Sequence, residues 1–185
     1  YRLYLEDRGF EVHYGESKAC IISDELPNWV IKVGFIYPFP DGTIPTDFCT
    51  IEEKNYQRAI VEGLEDFFAA TYKLCEVTPS DCYSFNGSIT FFIQEMAEPD
   101  EYKTSCTCDN YMNRDVDKDE EYYYDYDDYD RLESLFAGTE KLDELFDFIR
   151  IWKIDDLHSG NFGYTKNGKV KIIDLPNAFK DYLFD

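Results

Sequence analysis

The chain has 185 residues, of which 44% are hydrophobic and 18% aromatic, so it can build a core and does not have a disordered composition. Its 18 Lys and Arg against 39 Asp and Glu give a net charge of −21, which argues against a general basic face for nucleic acid or an anionic membrane. No apolar run approaches the roughly 20 residues of a membrane helix, and the N-terminal residues lack a signal-peptide pattern. We therefore expect a cytoplasmic protein with one domain or two small lobes.

The cysteines also bear on the cellular compartment. Six are scattered through apolar or loop contexts, and only Cys106 and Cys108 lie close together. In a chain of this length without a signal peptide, this usage favours reduced thiols over a disulfide framework. The alternative is a zinc site built on Cys106 and Cys108, which would need two further ligands from distant parts of the chain.

The first half of the sequence predicts a sheet. Residues 10–14 and 18–23 are separated by a short segment that begins with Gly15, which is a hairpin signal. Three more segments have strand composition: 29–37, 72–77 and 88–96. With one helix between the third and fourth strands, this order predicts a compact α+β unit with a five-stranded antiparallel sheet.

The helix is predicted over residues 47–72, where Thr46 or Asp47 would cap its start. One apolar stripe recurs at helical spacing: Ile51, Tyr56, Ile60, Leu64 and Phe67. Glu53 falls on the face that this stripe defines, whereas Glu52 is expected to point elsewhere. A carboxylate on the buried face would need a cationic partner.

Residues 97–130 change character. The segment 115–130 carries nine acidic residues, five tyrosines and one lysine. Like charges this dense repel one another, so the pattern predicts a solvated and poorly ordered insertion. The alternative is a docking surface for a basic protein partner.

Helical periodicity returns at about 131–152, interrupted near Gly138, and leads into the stretch DDLHSGNFGY at 155–164. Asn167-Gly168 is a strong turn signal, so the next two strands should form a hairpin. Asn161 before the hairpin and Asp174 after it would then lie together, with Asp156 close by. Carboxylate and amide oxygens suit Mg²⁺, although a capped, solvent-facing loop would use the same residue types.

Four motifs in this order resemble the eukaryotic-like protein kinase superfamily over roughly residues 10–178. They are VIKV around Lys32, Glu53 on the following helix, DLHSGN at 156–161, and KIIDLP at 171–176. The DLHSGN stretch is similar to the catalytic loop of aminoglycoside and other small-molecule kinases. FIQEMAE at 92–98 is similar to the hinge between the two lobes of the family.

The resemblance implies ATP and Mg²⁺ as cofactors. Lys32 would contact the phosphates and pair with Glu53. Asp156 would orient or deprotonate the attacking hydroxyl. Asn161 and Asp174 would hold the metal.

The resemblance also implies a nucleotide seat. Gly15 and Ser17 would contact phosphate through backbone amides, and Glu95 and Met96 in the hinge would contact the nucleotide. The phosphate loop departs from the family pattern, because it contains one glycine where the family has three.

The fold implied by the resemblance is protein-kinase-like. A five-stranded antiparallel N-lobe with one helix would span 1–96, a hinge and acidic Tyr-rich insertion 97–130, and a minimal helical C-lobe 131–185, ending just after the metal-binding aspartate. The predicted function is an ATP- and Mg-dependent phosphotransferase with an unknown acceptor. A catalytically inactive kinase-like binding or regulatory module is the alternative. We expect no membrane or nucleic-acid partner, and a dimer could cover apolar surface on a small lower lobe.

Overall fold

The computed structural model of the chain describes residues 5–15, 18–34, 47–77, 89–99, 126–154 and 157–174. Five strands form one antiparallel sheet in the order β1-β2-β3-β5-β4: β1 Phe10–Tyr14, β2 Lys18–Ser23, β3 Trp29–Gly34, β4 Thr71–Val77 and β5 Ile89–Glu95. A second sheet has the order β6-β7-β8: β6 Glu98–Pro99, β7 Phe162–Tyr164 and β8 Val170–Ile172. The helices are α1 Phe48–Glu62, α2 Tyr126–Phe136 and α3 Leu142–Ile151. The predicted α+β architecture with a five-stranded antiparallel sheet is confirmed.

Helix α1 packs against β3 and β4 and is shorter than its apolar pattern predicted. Asp47 caps its start, where its side chain accepts a hydrogen bond from the Thr50 amide at 3.0 Å. The helix ends because Gly63 adopts the left-handed conformation, with φ of 70°. The Leu64 amide then bonds the Ala59 carbonyl at 2.8 Å, and the Leu64 side chain is buried. Residues beyond Gly63 therefore leave the helix and form a short 3-10 turn, Glu65–Phe67.

Strand register places the lysines of β2 and β3 on one face of the sheet. Cys20 pairs with Lys32 and Lys18 pairs with Gly34 in the antiparallel ladder. Because side chains alternate along a strand, Lys18, Cys20 and Lys32 share the same face of the sheet. This face is directed at the second sheet.

The core lies between α1, the two later helices and the second sheet. Its fully buried members include Phe68, Leu145, Phe148, Phe162 and Ile172. The backbone also joins the two sheets, since the Ala69 amide donates to the Ile172 carbonyl at 2.9 Å. The position of the second sheet is thus fixed by both packing and main-chain hydrogen bonding.

The two later helices follow the predicted pattern, with a break at Gly138, whose φ is 78°. Helix α2 begins at Tyr126, five residues earlier than the sequence indicated. None of the helices within the described ranges combines the length and apolar character that crossing a bilayer requires.

Strands β7 and β8 form the predicted hairpin, with Phe162 opposite Ile172. The Thr165 amide donates to the Lys169 carbonyl at 2.9 Å, so three residues form the loop. Gly168 has φ of 76° and supplies the left-handed position of a three-residue hairpin loop. The ends of this hairpin, next to Asn161 and Ile173, face the first sheet.

Residues 96–99, which contain β6, are called the strap. Replacement of Gly163 in β7 tests the close contact between this strand and Ala97 of the strap. A Cβ atom at Gly163 would lie 2.7 Å from the Ala97 carbonyl oxygen, which is backbone and cannot move freely. We expect Gly163→Ala to lower the free energy of unfolding by about 1–3 kcal/mol, the usual cost of overpacking. The measurement is urea denaturation. Gly15→Ala is the control, because its Cβ would meet nothing nearer than 3.5 Å. Equal stability of the two variants would contradict the close approach.

Candidate functional site

A cavity of about 350 Å³ opens between the first sheet, the strap and the β7–β8 hairpin. Its apolar wall includes Ile22, Val30 and Ala97. Its polar side includes Lys18, Lys32, Asn161 and Asp174. An apolar pocket with a few convergent polar groups is the usual form of a small-molecule site.

The deepest polar contact is an ion pair between Lys32 and Glu52. The Lys32 Nζ lies 2.8 Å from Glu52 Oε2, and the Glu52 side chain has no exposed surface. The same ammonium donates to the Ile173 carbonyl at 2.9 Å. This lysine therefore connects β3, α1 and the end of the hairpin in one buried place.

A second lysine joins this pair. Lys18 forms an ion pair with the other oxygen of Glu52, and its Nζ lies 2.6 Å from Asp174 Oδ2. The Lys18 side chain is only 13% exposed. We call Lys18, Lys32, Glu52 and Asp174 the charge quartet; its two positive and two negative charges balance.

The pKa values follow from burial and from these neighbours. Burial alone would raise the pKa of the Glu52 carboxyl, but the Lys32 and Lys18 ammonium groups outweigh it and lower that pKa to about 2. Burial and the charge of Glu52 raise the pKa of Asp174 to about 6, against the opposing effect of the two lysines. Burial acts against protonation of Lys18, yet Glu52 and Asp174 raise its pKa above the ordinary value. Both lysine-paired carboxylates are therefore mostly ionised at neutral pH.

The predicted pairing of Lys32 with Glu53 is wrong. Glu52 forms the ion pair, and Glu53 is only half-buried, on a neighbouring face of α1. The error came from Ile60, which was counted in the apolar stripe but is 39% exposed. The buried face instead contains polar residues, Glu52 and Asn55, and consecutive helix residues point about 100° apart.

Asn161 and Asp174 line the same cavity from the two ends of the hairpin. The Ile173 amide donates to the Asn161 carbonyl at 2.9 Å and closes the hairpin between them. One amide and one carboxylate fit Mg²⁺, which takes few protein ligands and completes its shell with water and phosphate oxygens. Within the described residues, no group of three or more His, Cys, Asp or Glu side chains is arranged to hold a metal ion by itself.

The loop before the hairpin is fixed by hydrogen bonds on both sides. The His158 Nδ1 accepts from the Gly160 amide at 3.0 Å, so this imidazole orders the loop. The fully buried Arg131 of α2 donates through Nη1 to the Leu157 carbonyl. Asp156, the candidate base, lies outside the described residues, directly before Leu157.

The predicted nucleotide contacts fall in different places. Glu95 and Met96 both line the cavity, and the Met96 amide donates to the Asn28 carbonyl at 2.8 Å. The Gly15 amide donates to the Lys18 carbonyl at 2.8 Å and is thus used within the hairpin. Gly15 is not among the residues lining the cavity. Ser17 lies outside the described residues.

A larger hollow of about 1090 Å³ shares the strap but is bounded elsewhere by Asn28, Tyr164 and Lys166. None of the charge quartet lines it. We therefore take the smaller cavity as the candidate site, because only there do buried charges meet an apolar wall.

Other expectations concern residues away from the cavity. Among the cysteines that the structure describes, Cys20, Cys49 and Cys75 are all free. Cys106 and Cys108, the zinc alternative, lie outside the described residues. Of the acidic segment 115–130, only the backbone of 126–130 is described, as the start of α2. A basic partner for this segment and a dimer stay predictions.

Sequence reasoning did not identify Lys18 as a site residue. The signal was present in the strand alternation, because Lys18 is two residues from Cys20, which is the ladder partner of Lys32. The sequence analysis instead assigned the phosphate contacts to Gly15 and Ser17 in the preceding turn. A lysine at the start of a strand is commonly solvent-exposed, and only the positions of α1 and the hairpin bury this one.

No family model matches this sequence, and no curated protein matches it at a significant level.

Neighbouring glutamates of α1 provide a matched test of the charge quartet. Glu52→Gln removes the carboxylate that balances two buried ammonium groups, so we expect it to lower the free energy of unfolding by about 3–5 kcal/mol. Glu53→Gln makes the same change one position away and should stay within about 0.5 kcal/mol of the parent. Guanidinium denaturation of both variants measures the difference. A larger loss in the Glu53 variant would restore the original pairing.

Proposed function

We propose that this protein is an ATP- and Mg-dependent phosphotransferase with a protein-kinase-like fold and an acceptor still to be identified. One observation carries the proposal. The buried Lys32–Glu52 ion pair opens into a cavity that Asn161 and Asp174 also line. A fixed cation, a metal-ligating carboxylate and an amide on one cavity are the groups that phosphoryl transfer requires.

Lys32 is the phosphate-contacting cation in this proposal. Its ammonium is held by Glu52 at 2.8 Å and by the Ile173 carbonyl at 2.9 Å, so its position is set before any ligand arrives. A preorganised charge stabilises a transferring phosphoryl group without reorganisation at the moment of reaction. Glu52 takes the helix-glutamate role that the sequence had given to Glu53.

In this proposal, the apolar wall of the cavity and the strap contact the nucleobase of ATP. Ile22 and Val30 come from β2 and β3, and Ala97 belongs to the strap, so two sides of a flat ring would be covered. The strap follows β5 and contains β6, which pairs with β7. In the proposed fold this connection is the hinge, and a nucleotide would contact both sheets at once.

Asn161 and Asp174 would hold Mg²⁺, which when bound neutralises charge on the nucleotide phosphates. Both residues line the cavity at the two ends of one hairpin. Asp174 keeps 24% of its side chain exposed and is accessible from the cavity. Metal and nucleotide would therefore meet at the same opening.

Asp156 is assigned the acceptor role from its place in the chain. It precedes Leu157, whose carbonyl Arg131 holds, and the next residue, His158, orders the loop. A carboxylate at this place in the chain can orient or deprotonate an attacking hydroxyl. This assignment rests on the sequence motif DLHSGN rather than on side-chain geometry.

A nucleotide-binding module without phosphoryl transfer is the second candidate. The observation that favours it is the engagement of the Gly15 amide within the β1–β2 hairpin. A phosphate loop whose Gly15 amide is already hydrogen-bonded has one main-chain donor fewer to restrain the terminal phosphate. The two candidates share nucleotide binding and differ only in turnover, so they need separate measurements.

Nucleotide binding is tested by thermal shift with a non-hydrolysable ATP analogue, with and without Mg²⁺. If the parent binds, ligand at about 100 times its Kd should add about 2.7 kcal/mol of stability. Asp174→Ala should remove the Mg²⁺-dependent part of this gain, because the variant lacks the metal carboxylate. Asp143→Ala, an exposed acid on α3, is the control and should keep it. Absence of any shift in the parent would rule out both candidates.

Phosphoryl transfer is tested by following the γ-phosphate of ATP in the presence of small-molecule and protein acceptors. Asp156→Asn should lower turnover by about 10²–10⁴-fold, the usual contribution of a general base, while nucleotide binding stays close to the parent. Asp155→Asn alters the adjacent carboxylate and is the matched control. A parent protein that binds nucleotide but shows no turnover, including hydrolysis, would favour the inactive module.

A further inference from the structure

Lys18 is a buried cation for which the proposed reaction has so far no use. Its Nζ lies 2.6 Å from Asp174 Oδ2 and contacts the Glu52 carboxylate as well. Its side chain is 13% exposed. The Lys18 ammonium in this position neutralises the Asp174 carboxylate, which the proposed Mg²⁺ would need as a ligand.

The charge balance of the quartet limits what can be added. Lys18 and Lys32 contribute two positive charges, and Glu52 and Asp174 contribute two negative charges. A divalent cation placed on Asp174 while Lys18 stays would bring three positive charges into contact range around one carboxylate. In a partly desolvated cavity such repulsion is strong.

The phosphates of a bound nucleotide would remove this repulsion between the metal ion and Lys18. The phosphate oxygens offer several negative charges and new hydrogen-bond acceptors for an ammonium group. A lysine side chain has a flexible four-carbon stem and acts as a movable point charge. Lys18 stands at the first position of β2, directly after the turn, on the face that lines the cavity. Rotation of its stem would carry the ammonium from Asp174 toward a ligand.

We propose that Lys18 is a placeholder cation: it occupies the position beside Asp174 in the nucleotide-free protein and transfers to the nucleotide phosphates when Mg²⁺ arrives. The inference rests on the proposed function and adds that Mg²⁺ binds well only together with the nucleotide. Mg²⁺ alone binds weakly, because Lys18 competes for the same carboxylate. Nucleotide and metal bind well together, because the phosphates take Lys18 from Asp174.

Lys18 would also compensate for the phosphate loop. The Gly15 amide is used within the β1–β2 hairpin and cannot approach a phosphate without breaking that bond. Lys18, two residues before Cys20, lines the cavity from the strand itself. Phosphate contact would then come from an ammonium group rather than from main-chain amides.

The first arm of the test titrates Mg²⁺ alone into the nucleotide-free protein by isothermal titration calorimetry. Lys18→Met keeps the apolar stem and removes the charge, so the Kd for Mg²⁺ should fall by about tenfold or more. Lys73→Met, on the exposed part of β4, is the matched control and should leave this Kd unchanged. Adding Asp174→Asn to Lys18→Met should abolish the gain, which would locate the metal at Asp174.

The second arm titrates a non-hydrolysable ATP analogue in the presence of EDTA. Lys18→Met should weaken this metal-free binding by about tenfold, because the phosphates lose one cation. Lys18→Arg should retain binding close to the parent. If Lys18→Met does not fold, Lys18→Gln replaces it in both arms, since an amide still donates to the two carboxylates.

The outcomes separate the inference from the function beneath it. If the parent binds no nucleotide, the proposed function is wrong. If the parent binds nucleotide but removal of the Lys18 charge changes the Mg²⁺ affinity by less than about twofold, the placeholder inference is overturned and the function stands. Tighter Mg²⁺ binding together with weaker metal-free nucleotide binding supports both.

Discussion

The arrangement of the site depends on Glu52, a carboxylate with no exposed surface that is shared by two lysines. Removing a carboxylate from water is costly, and the charge is tolerated here because an ammonium group contacts each oxygen. The requirement acts in both directions, since Glu52 is also the carboxylate that both buried ammonium groups contact. Helix α1, β2 and β3 are thereby held at fixed distances from one another around a single anion.

The same cluster joins the first sheet to the hairpin. The Lys32 ammonium donates to the Ile173 carbonyl and Lys18 pairs with Asp174, so charged groups of the first sheet contact the residues that follow β8. Main-chain contacts reinforce the junction, through the Ala69 amide on Ile172, and Lys171 donates to the Asp66 carbonyl at 2.8 Å. The cavity lies at this junction. Its polar groups are therefore positioned by the contacts that hold the two sheets together.

A site built to receive a polyanion must keep its cations satisfied while it is empty. In this chain the two lysines are neutralised by internal carboxylates, and one of those carboxylates, Asp174, is also the candidate metal ligand. Under the proposed function, nucleotide and metal binding would exchange ion-pair partners within this neutral cluster rather than add charge to an open one. Such an exchange is consistent with a turn in which the Gly15 amide is already hydrogen-bonded within the β1–β2 hairpin.

Local pattern was sufficient for much of the fold. Alternation and turn residues predicted β1, β2 and the β7–β8 hairpin, because strand pairing across a short turn depends on neighbouring residues. The end of α1 was missed, since it depends on the left-handed conformation of Gly63 and the burial of Leu64. The sequence also identified Lys32, Asn161 and Asp174 as cavity residues but chose Glu53 over Glu52. One helix position turns a side chain by about 100°, and only the packing of α1 against the sheet decided which carboxylate was buried. The part played by Lys18 was likewise a tertiary result, because its partners, Glu52 and Asp174, lie 34 and 156 residues away along the chain.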